Sequence, residues 1–334
     1  MARIKMAYVG GGSTRGAGTM ASFIHQGENF EGSEVVLIDL DPERLDLIRR
    51  LSERMVKARG LDLTIEATTD RRAGLSDCDA ILSSYRPGGF AARVLDERIP
   101  LKHGIIGQET QGPGGFFMAL RAIHAMQGIL SDVEDRCPEA RIFNYTNPVN
   151  VLAQAVTTHS DVPFVSLCEG PIYFADQIAK ACGLERDYLD TVMVGLNHAC
   201  WSVVHEYKGI DAMDAVFNEK DEVLTVNVPN AGGALPGFDD TLVVELLGRC
   251  GGPGGWIEPL PVPAPLPAHV RGLVHELGEY QALAAEAAWS GTRLDGIRAL
   301  AAHPLMVDLD RTERVYDELA EAHREHLPER LLPA

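Results

Sequence analysis

Paired cysteine motifs are absent: none of the six cysteines (Cys78, Cys137, Cys168, Cys182, Cys200, Cys250) falls in a CxxC spacing. Neither a disulfide framework nor a structural zinc site is therefore expected. No run approaches eighteen uninterrupted apolar residues, so no membrane-spanning helix and no membrane partner are expected. Basic residues are also short, 30 against 48 acidic ones, for a net charge of −18. Such a balance suits a phosphate backbone only where the positives are segregated, and no segregation is visible, so nucleic acid is not an expected partner. A leader-like apolar segment is missing too. The start, MARIKMAYVGGG, runs straight into a strand pattern, which makes a cytoplasmic chain the expectation. What is present is 46% apolar and 23% charged residues over 334 positions, enough for one large or two ordinary domains.

The order of elements is regular in the first half. Ile4 to Val9 reads as a strand that stops at Gly10-Gly11-Gly12-Ser13, and a helical stretch, Thr19 to His25, follows. Val35 to Ile38 ends in Asp39-Leu40-Asp41-Pro42, after which Leu45, Ile48, Leu51 and Met55 recur at helical spacing. Further strands are expected at Thr64 to Ala67, Asp79 to Ser84 and Arg141 to Asn144. A helix from about Pro113 to Asp135 would carry Phe116, Leu120, Ile123, Leu130 and Val133 on one face. Strands alternating with helices imply right-handed crossovers and a Rossmann-like, doubly wound parallel sheet over residues 1–165. Residues 166–334 read as a mixed α+β domain. It has strands at 165–167 and 190–196, helices at 173–182, 268–290, 294–302 and 312–326, and an irregular Gly- and Pro-rich stretch at 251–267.

The glycine turn is the clearest chemical signal. Small residues after a buried strand let backbone N–H groups approach a pyrophosphate, and the helix N-terminus adds its dipole. Here Gly10-x-Gly12 is followed by Gly16, one residue later than the usual fingerprint. Asp39, at the end of the second strand, can accept from both ribose hydroxyls and repel a 2′-phosphate, which favours NAD over NADP. The alternative is a plain turn followed by a capping Asp. Four further stretches end strands or join elements: Ser84 to Gly89, Gly107 to Gly115, Asn144 to Pro148 and Gly195 to His198. In an open parallel sheet such segments line the ligand crevice, so their polar residues are expected to converge. Cys168 and His198, each just past an expected strand, could hold a divalent cation with positions left for substrate oxygens. Alternatively they are a small buried thiol and a satisfied loop imidazole.

Taken together, Ile99-Pro100-Leu101-Lys102-His103-Gly104-Ile105-Ile106-Gly107-Gln108-Glu109-Thr110 and Gly112-Pro113-Gly114-Gly115-Phe116-Phe117 form the most specific run. With Gly10 to Ser13, Asn144 to Pro148, Leu167-Cys168, Gly195 to His198 and Val226 to Asn230 in the same order, the chain resembles glycoside hydrolase family 4, over about 3–215 and again over 221–326. That family departs from two-carboxylate glycoside hydrolysis. The resemblance implies an NAD- and Mn²⁺-dependent glycosidase, acting by oxidation at the sugar C3, elimination across C1 and C2, water addition and re-reduction, on a glycoside that is phosphorylated in many members. It places Cys168 and His198 as metal ligands, Asn147 and Arg93 on substrate, Gly10, Gly11, Gly12, Ser13 and Asp39 on the cofactor, and Glu109 behind the catalytic base. A homodimer or homotetramer is also implied.

The chain departs from the family at two places. The residue after the metal cysteine is Glu169, where relatives carry Asp, Asn or His. A buried carboxyl there could protonate the leaving oxygen, which makes Glu169 a candidate general acid; otherwise it is a solvated loop acid. Between Phe217 and Val226 the family places a long helical stretch with a tyrosine base and a second arginine. This chain supplies only Asn218 to Thr225, with no tyrosine, and Tyr207 and Tyr280 match no motif position. Two other functions stay open at this level: a family member that binds NAD and sugar without turnover, and a lactate- or malate-type NAD dehydrogenase.

Overall fold

The strand β1 (Lys5–Val9) is apolar on both faces because it lies in the middle of a sheet covered on both sides. Around it run β2 (Ser33–Ile38), β3 (Leu63–Thr68), β4 (Ala80–Ser83), β5 (Arg141–Asn144) and β6 (Phe164–Ser166), all parallel, in the order β3-β2-β1-β4-β5-β6. The computed structural model describes residues 2–182, 191–204, 222–251, 256–263 and 265–333. Within them the same sheet continues through β7 (Val192–Leu196), β8 (Ala199–Val204), β9 (Glu222–Pro229) and β10 (Val243–Cys250) in the order β6-β9-β10-β7-β8, now antiparallel. A short strand, β11 (Ile257–Pro259), pairs with β10 inside the stretch expected to be irregular. Its proline is tolerated because β11 is an added edge piece.

The helices are α1 (Gly16–His25), α2 (Pro42–Arg59), α3 (Arg71–Gly74), α4 (Gly89–Lys102), α5 (Gly112–Arg136), α6 (Val149–His159), α7 (Gly170–Cys182), α8 (Ala268–Trp289), α9 (Arg293–Ala301) and α10 (Leu309–Ala322). Local chemistry sets their ends. Asp41 caps α2 by accepting from the Glu43 and Arg44 N–H groups, each at 3.1 Å, Pro42 opens it, and Gly60 at φ +67° closes it. Asp39 is thus free of the capping duty.

α5 differs from its expected single apolar face. Every residue from Gly112 to Ile123 is buried, because α4, α6, α8 and α10 pack around it. The one arginine on that stretch, Arg121, reaches Asp96 on α4 through both terminal guanidinium nitrogens (2.9 and 2.6 Å), and His323 closes on the same carboxylate at 2.8 Å. A buried charge survives only with such pairing.

Beneath the start of α5 lies His303, 2% exposed, with the Leu305 N–H 3.1 Å from Nδ1, and with the Gly112 N–H at 3.0 Å and Gln111 Oε1 at 3.2 Å from Nε2. Burial pulls this imidazole down to about 4 from 6.5. Below pH 6.5 the unfolded chain takes up a proton that the folded chain refuses. The contribution is complete above that pH and is lost as the pH falls toward 4, on the order of 3 kcal/mol. Denaturant titrations at pH 7 and 4.5 should therefore show a smaller acid loss for His303→Gln than for the wild type; equal losses contradict this assignment.

Candidate active site

The turn after β1 is built by excluding side chains. Gly10 has φ +92°, and a Cβ there would lie 2.1 Å from the Ser84 carbonyl oxygen at the end of β4. A Cβ on Gly16 would lie 2.4 Å from the Gly11 carbonyl oxygen. The late third glycine thus performs the close helix–turn packing of the usual fingerprint, and one extra residue is absorbed in the turn. Asp39 Oδ2 accepts from the Gly12 N–H at 2.9 Å, while Oδ1 accepts from the Leu40 and Asp41 N–H groups. The carboxylate therefore ties the glycine turn to the end of β2 and remains half-buried beside it. Ser13 Oγ is buried with no hydrogen-bond partner among the described residues. The N–H groups of Gly10 and Gly11 donate to the Ile38 carbonyl and that of Ser13 to the Gly10 carbonyl, so a dinucleotide phosphate fits here through the unpartnered Ser13 hydroxyl and the start of α1.

The four segments expected to converge do so. Gly10 packs on Ser84, the Tyr85 N–H donates to Thr146 Oγ1 (3.1 Å), Arg86 pairs with Glu109 (2.6 Å), and Gln111 Nε2 donates to the Asn197 carbonyl (3.4 Å). A cavity of about 470 Å³ opens between α1 and the ends of β4, β5 and β6, with Thr14, Arg15, Ser84, Tyr145, Leu167 and Glu169 on its wall. The entry to α1, just past the glycine turn, and the segment after β6 thus share one depression, with Arg15 and Glu169 3.2 Å apart across it.

Cys168 Sγ and His198 Nε2 are 4.0 Å apart. His198 takes φ +61° at the β7–β8 corner, in the left-handed region that few non-glycine residues adopt. Its tautomer follows from Thr110. Gln108 Oε1 accepts from the Thr110 N–H (2.5 Å), the Gln111 N–H (2.6 Å) and the Thr110 hydroxyl (2.8 Å). The single hydroxyl proton is committed there, so Thr110 Oγ1 accepts from His198 Nδ1–H at 2.8 Å. In the neutral ring Nε2 then carries the lone pair, on the side of the thiol. Burial pushes the Cys168 thiol up, and the Gly170 N–H, 3.4 Å from Sγ, pulls the other way. A soft sulfur and an imidazole nitrogen across 4.0 Å can share one cation, since metal bonds of about 2.0–2.3 Å to each span that distance. Among the described residues no third His, Cys, Asp or Glu joins them in a metal-holding group, which leaves the remaining positions to water or substrate oxygens.

The other expected site residues take different places. Arg93 on α4 bridges Glu97 (2.8 Å) and Glu109 (3.3 Å), so Glu109 gathers two arginines, Arg86 and Arg93. Asn147 is half-buried beside Pro148 at the start of α6. Glu169 is exposed over 75% of its side chain, so the chain's own atoms do not supply the enclosure that a general acid there requires. Tyr280 is buried on α8 against Phe116 and His303, and Tyr207 and the stretch from Phe217 to Asp221 lie outside the described residues. Sequence reasoning quoted Thr110 and Asn197 inside motifs without their roles. Glu245, whose carboxylate receives the side chains of Asn197 and Asn227, carried no local signal at all.

A model of the family 4 glycosyl hydrolases matches residues 5–184, and a model of that family's C-terminal domain matches residues 203–306. A probable 6-phospho-beta-glucosidase of Bacillus subtilis is 27% identical over 435 aligned residues covering 98% of either chain. That alignment is longer than the 334 residues here, so the Bacillus protein carries stretches without counterpart in this chain. The 6-phospho-beta-glucosidase of Escherichia coli is 38% identical over 200 residues, which are 59% of this chain and 44% of that enzyme. In fold, the crystal structure of a 6-phospho-alpha-glucosidase from gut microorganisms in complex with NAD and Mn²⁺ superposes with a TM-score of 0.88, over 99% of this chain and 100% of that one, at 21% identity. Since the first family match alone takes in more than half of the sequence, the chain belongs to family 4 of the glycosyl hydrolases.

Proposed function

We propose that this protein hydrolyses the glycosidic bond of a 6-phospho-glucoside, with NAD in the glycine cradle and a divalent cation, Mn²⁺, between Cys168 and His198. The observation that carries the reading is the pair itself: a thiol and an imidazole lone pair 4.0 Å apart, with Arg15 of the glycine-turn region touching the residue next to the thiol. Bound there, the nicotinamide supplies reversible hydride transfer at the sugar C3, and the cation polarises the oxygens on C2 and C3. The protein's own groups do the rest. Gly10 to Ser13 seat the pyrophosphate, and Asp39 accepts from the ribose hydroxyls, selecting NAD over NADP. Arg93, with Arg86 beside it, binds the sugar phosphate, because a planar guanidinium matches phosphate oxygens. Asn147 orients the ring through its hydroxyls. Glu109 holds the two guanidinium groups in place and supports proton removal at C2. Glu169 donates a proton to the leaving oxygen once bound sugar covers its exposed carboxyl.

Residues 1–165 would form the dinucleotide-binding part and 166–334 the metal and substrate part of a cytoplasmic homodimer or homotetramer, a state that light scattering measures directly. Hydrolysis of 4-nitrophenyl 6-phospho-α- and β-glucosides, with NAD and Mn²⁺ together and singly, tests the activity. Turnover only with both is expected, and turnover with neither contradicts the proposal. A second reading has its own support: no tyrosine lies between Phe217 and Val226, and the longer Bacillus relative has stretches that this chain lacks. On that reading the chain binds NAD, Mn²⁺ and sugar without turnover. A lactate- or malate-type dehydrogenase accounts for β1 to β6 but gives no role to the run from Gly107 to Thr110.

The Thr110 hydroxyl is expected to matter for metal affinity. Thr110→Val removes the acceptor that fixes His198 Nδ1–H, and Mn²⁺ binding should weaken about 10–100-fold, as second partners of metal ligands typically do. Thr110→Ser should keep it. Calorimetric titration decides, and an unchanged affinity in the valine variant contradicts the tautomer argument.

A further inference from the structure

Strand register draws a polar row through the buried sheet. Ser83 on β4 pairs with Asn144 on β5, Asn144 with Ser166 on β6, Ser166 with Asn227 on β9, and Asn227 with Glu245 on β10. Glu245 in turn faces Gly195 on β7, two residues before Asn197. The row is hydrogen-bonded at its parallel end, where Ser83 Oγ donates to Asn144 Oδ1 (2.8 Å) and Asn144 Nδ2 donates to Ser166 Oγ (2.9 Å). At the antiparallel end, Glu245 Oε2 accepts from Asn197 Nδ2 (2.9 Å) and Asn227 Nδ2 (3.1 Å).

Glu245 is 1% exposed, and no cationic side chain pairs with it among the described residues. Among the described residues its Oε1, like the Oδ1 atoms of Asn197 and Asn227, has no nitrogen or oxygen donor, while the Cys200 thiol lies against the carboxylate. A carboxylate buried this completely is costly without a compensating positive charge. A divalent cation between Cys168 and His198 would supply one at the corner that Asn197 ties to Glu245. Asn197, whose side-chain amide donates to Glu245, directly precedes His198 in the chain.

We propose that Glu245 is a positioning residue of the metal pair: through Asn197 it fixes the corner that presents His198 to Cys168, and its buried charge raises the affinity for a divalent cation. This rests on the metal reading given under Proposed function. Two roles follow for one carboxylate, and two substitutions separate them. Glu245→Gln keeps the shape and one oxygen for the asparagines but removes the charge. Asn197→Ala keeps the charge and the Asn227 bond but frees the corner.

The experiment titrates Mn²⁺ into the full chain by electron paramagnetic resonance, with NAD affinity measured in parallel. The visible bands of the Co²⁺-loaded chain are recorded as a signature of ligand geometry. The expected results are Mn²⁺ binding weakened about tenfold in Glu245→Gln, with Co²⁺ bands close to those of the wild type, and weakened about 10–100-fold in Asn197→Ala, with shifted bands. NAD affinity should stay within about twofold in both, since the hydrogen bonds of Glu245 and Asn197 share no partner with the glycine turn. Wild-type Mn²⁺ affinity in either variant overturns the proposal. If Glu245→Gln also loses NAD affinity, its fold has been disturbed, and Asn197→Ala then decides alone. A wild-type chain that takes up no Mn²⁺ overturns the metal reading and this inference with it.

Discussion

His198→Ala should lower kcat by about 10³-fold or more, with NAD affinity unchanged. The imidazole is one of the two side chains proposed to hold the metal, and with Nδ1–H donated to Thr110 its Nε2 lone pair stands 4.0 Å from Cys168 Sγ. Loss of a Lewis acid that stabilises developing charge costs several kcal/mol in the transition state, and about 4 kcal/mol corresponds to the factor given. The ring is exposed at the β7–β8 corner, so its removal leaves no cavity in the core. Stability should therefore change little, which separates this effect from unfolding. Chelation should reproduce the loss in the wild type and do nothing further in the variant. Steady-state rates with and without added Mn²⁺ decide, and a variant that retains metal-stimulated turnover contradicts the assignment of His198.

Gly10→Ala is expected to remove NAD binding. The added Cβ would lie 2.1 Å from the Ser84 carbonyl oxygen and 2.7 Å from its carbon, both backbone atoms that no rotamer change can move aside. The φ of +92° adds a conformational cost of roughly 1–2 kcal/mol for any L side chain. Overlap in a packed place costs about 1–3 kcal/mol more. Relief requires the turn after β1 to part from the end of β4, which is where the cofactor cradle meets the cavity. At about 1.4 kcal/mol per decade, NAD affinity should fall more than about thirtyfold. Gly60→Ala offers the comparison: φ is +67° there, but a Cβ would meet nothing within 4 Å. It should cost stability alone. Fluorescence titration with NAD measures both, and wild-type affinity in Gly10→Ala contradicts the cradle.

Much of the parallel half was legible because strands covered on both faces read as short apolar runs, as VVLI in β2 and AIL in β4 do. α4 was hidden by its composition: Arg93, Glu97, Arg98 and Lys102 surround a short apolar set, and Pro100 interrupts it in the last turn. β9 and β10 escaped for the opposite reason. Asn227 and Glu245 are polar residues in buried strands, and each reads on sequence as a solvent-facing position. Glu245 is visible as a site residue only once the register sets it between Asn227 and Gly195. Cys168 and His198 could be suspected from their places past strand ends. Their approach depends on Thr110, 88 residues from His198, and that link is invisible without the fold. The spacing of Gly16 looked like a defect of the fingerprint, and the structure gives it the third glycine's task.

The most direct test of redox-assisted elimination follows the hydrogen on C2. A 4-nitrophenyl 6-phospho-glucoside is hydrolysed in D₂O with catalytic NAD and Mn²⁺, and the sugar phosphate is read by nuclear magnetic resonance. Deuterium at C2 with no accumulation of NADH is the predicted result. Protium retained at C2, or NADH rising one for one with product, would contradict the account.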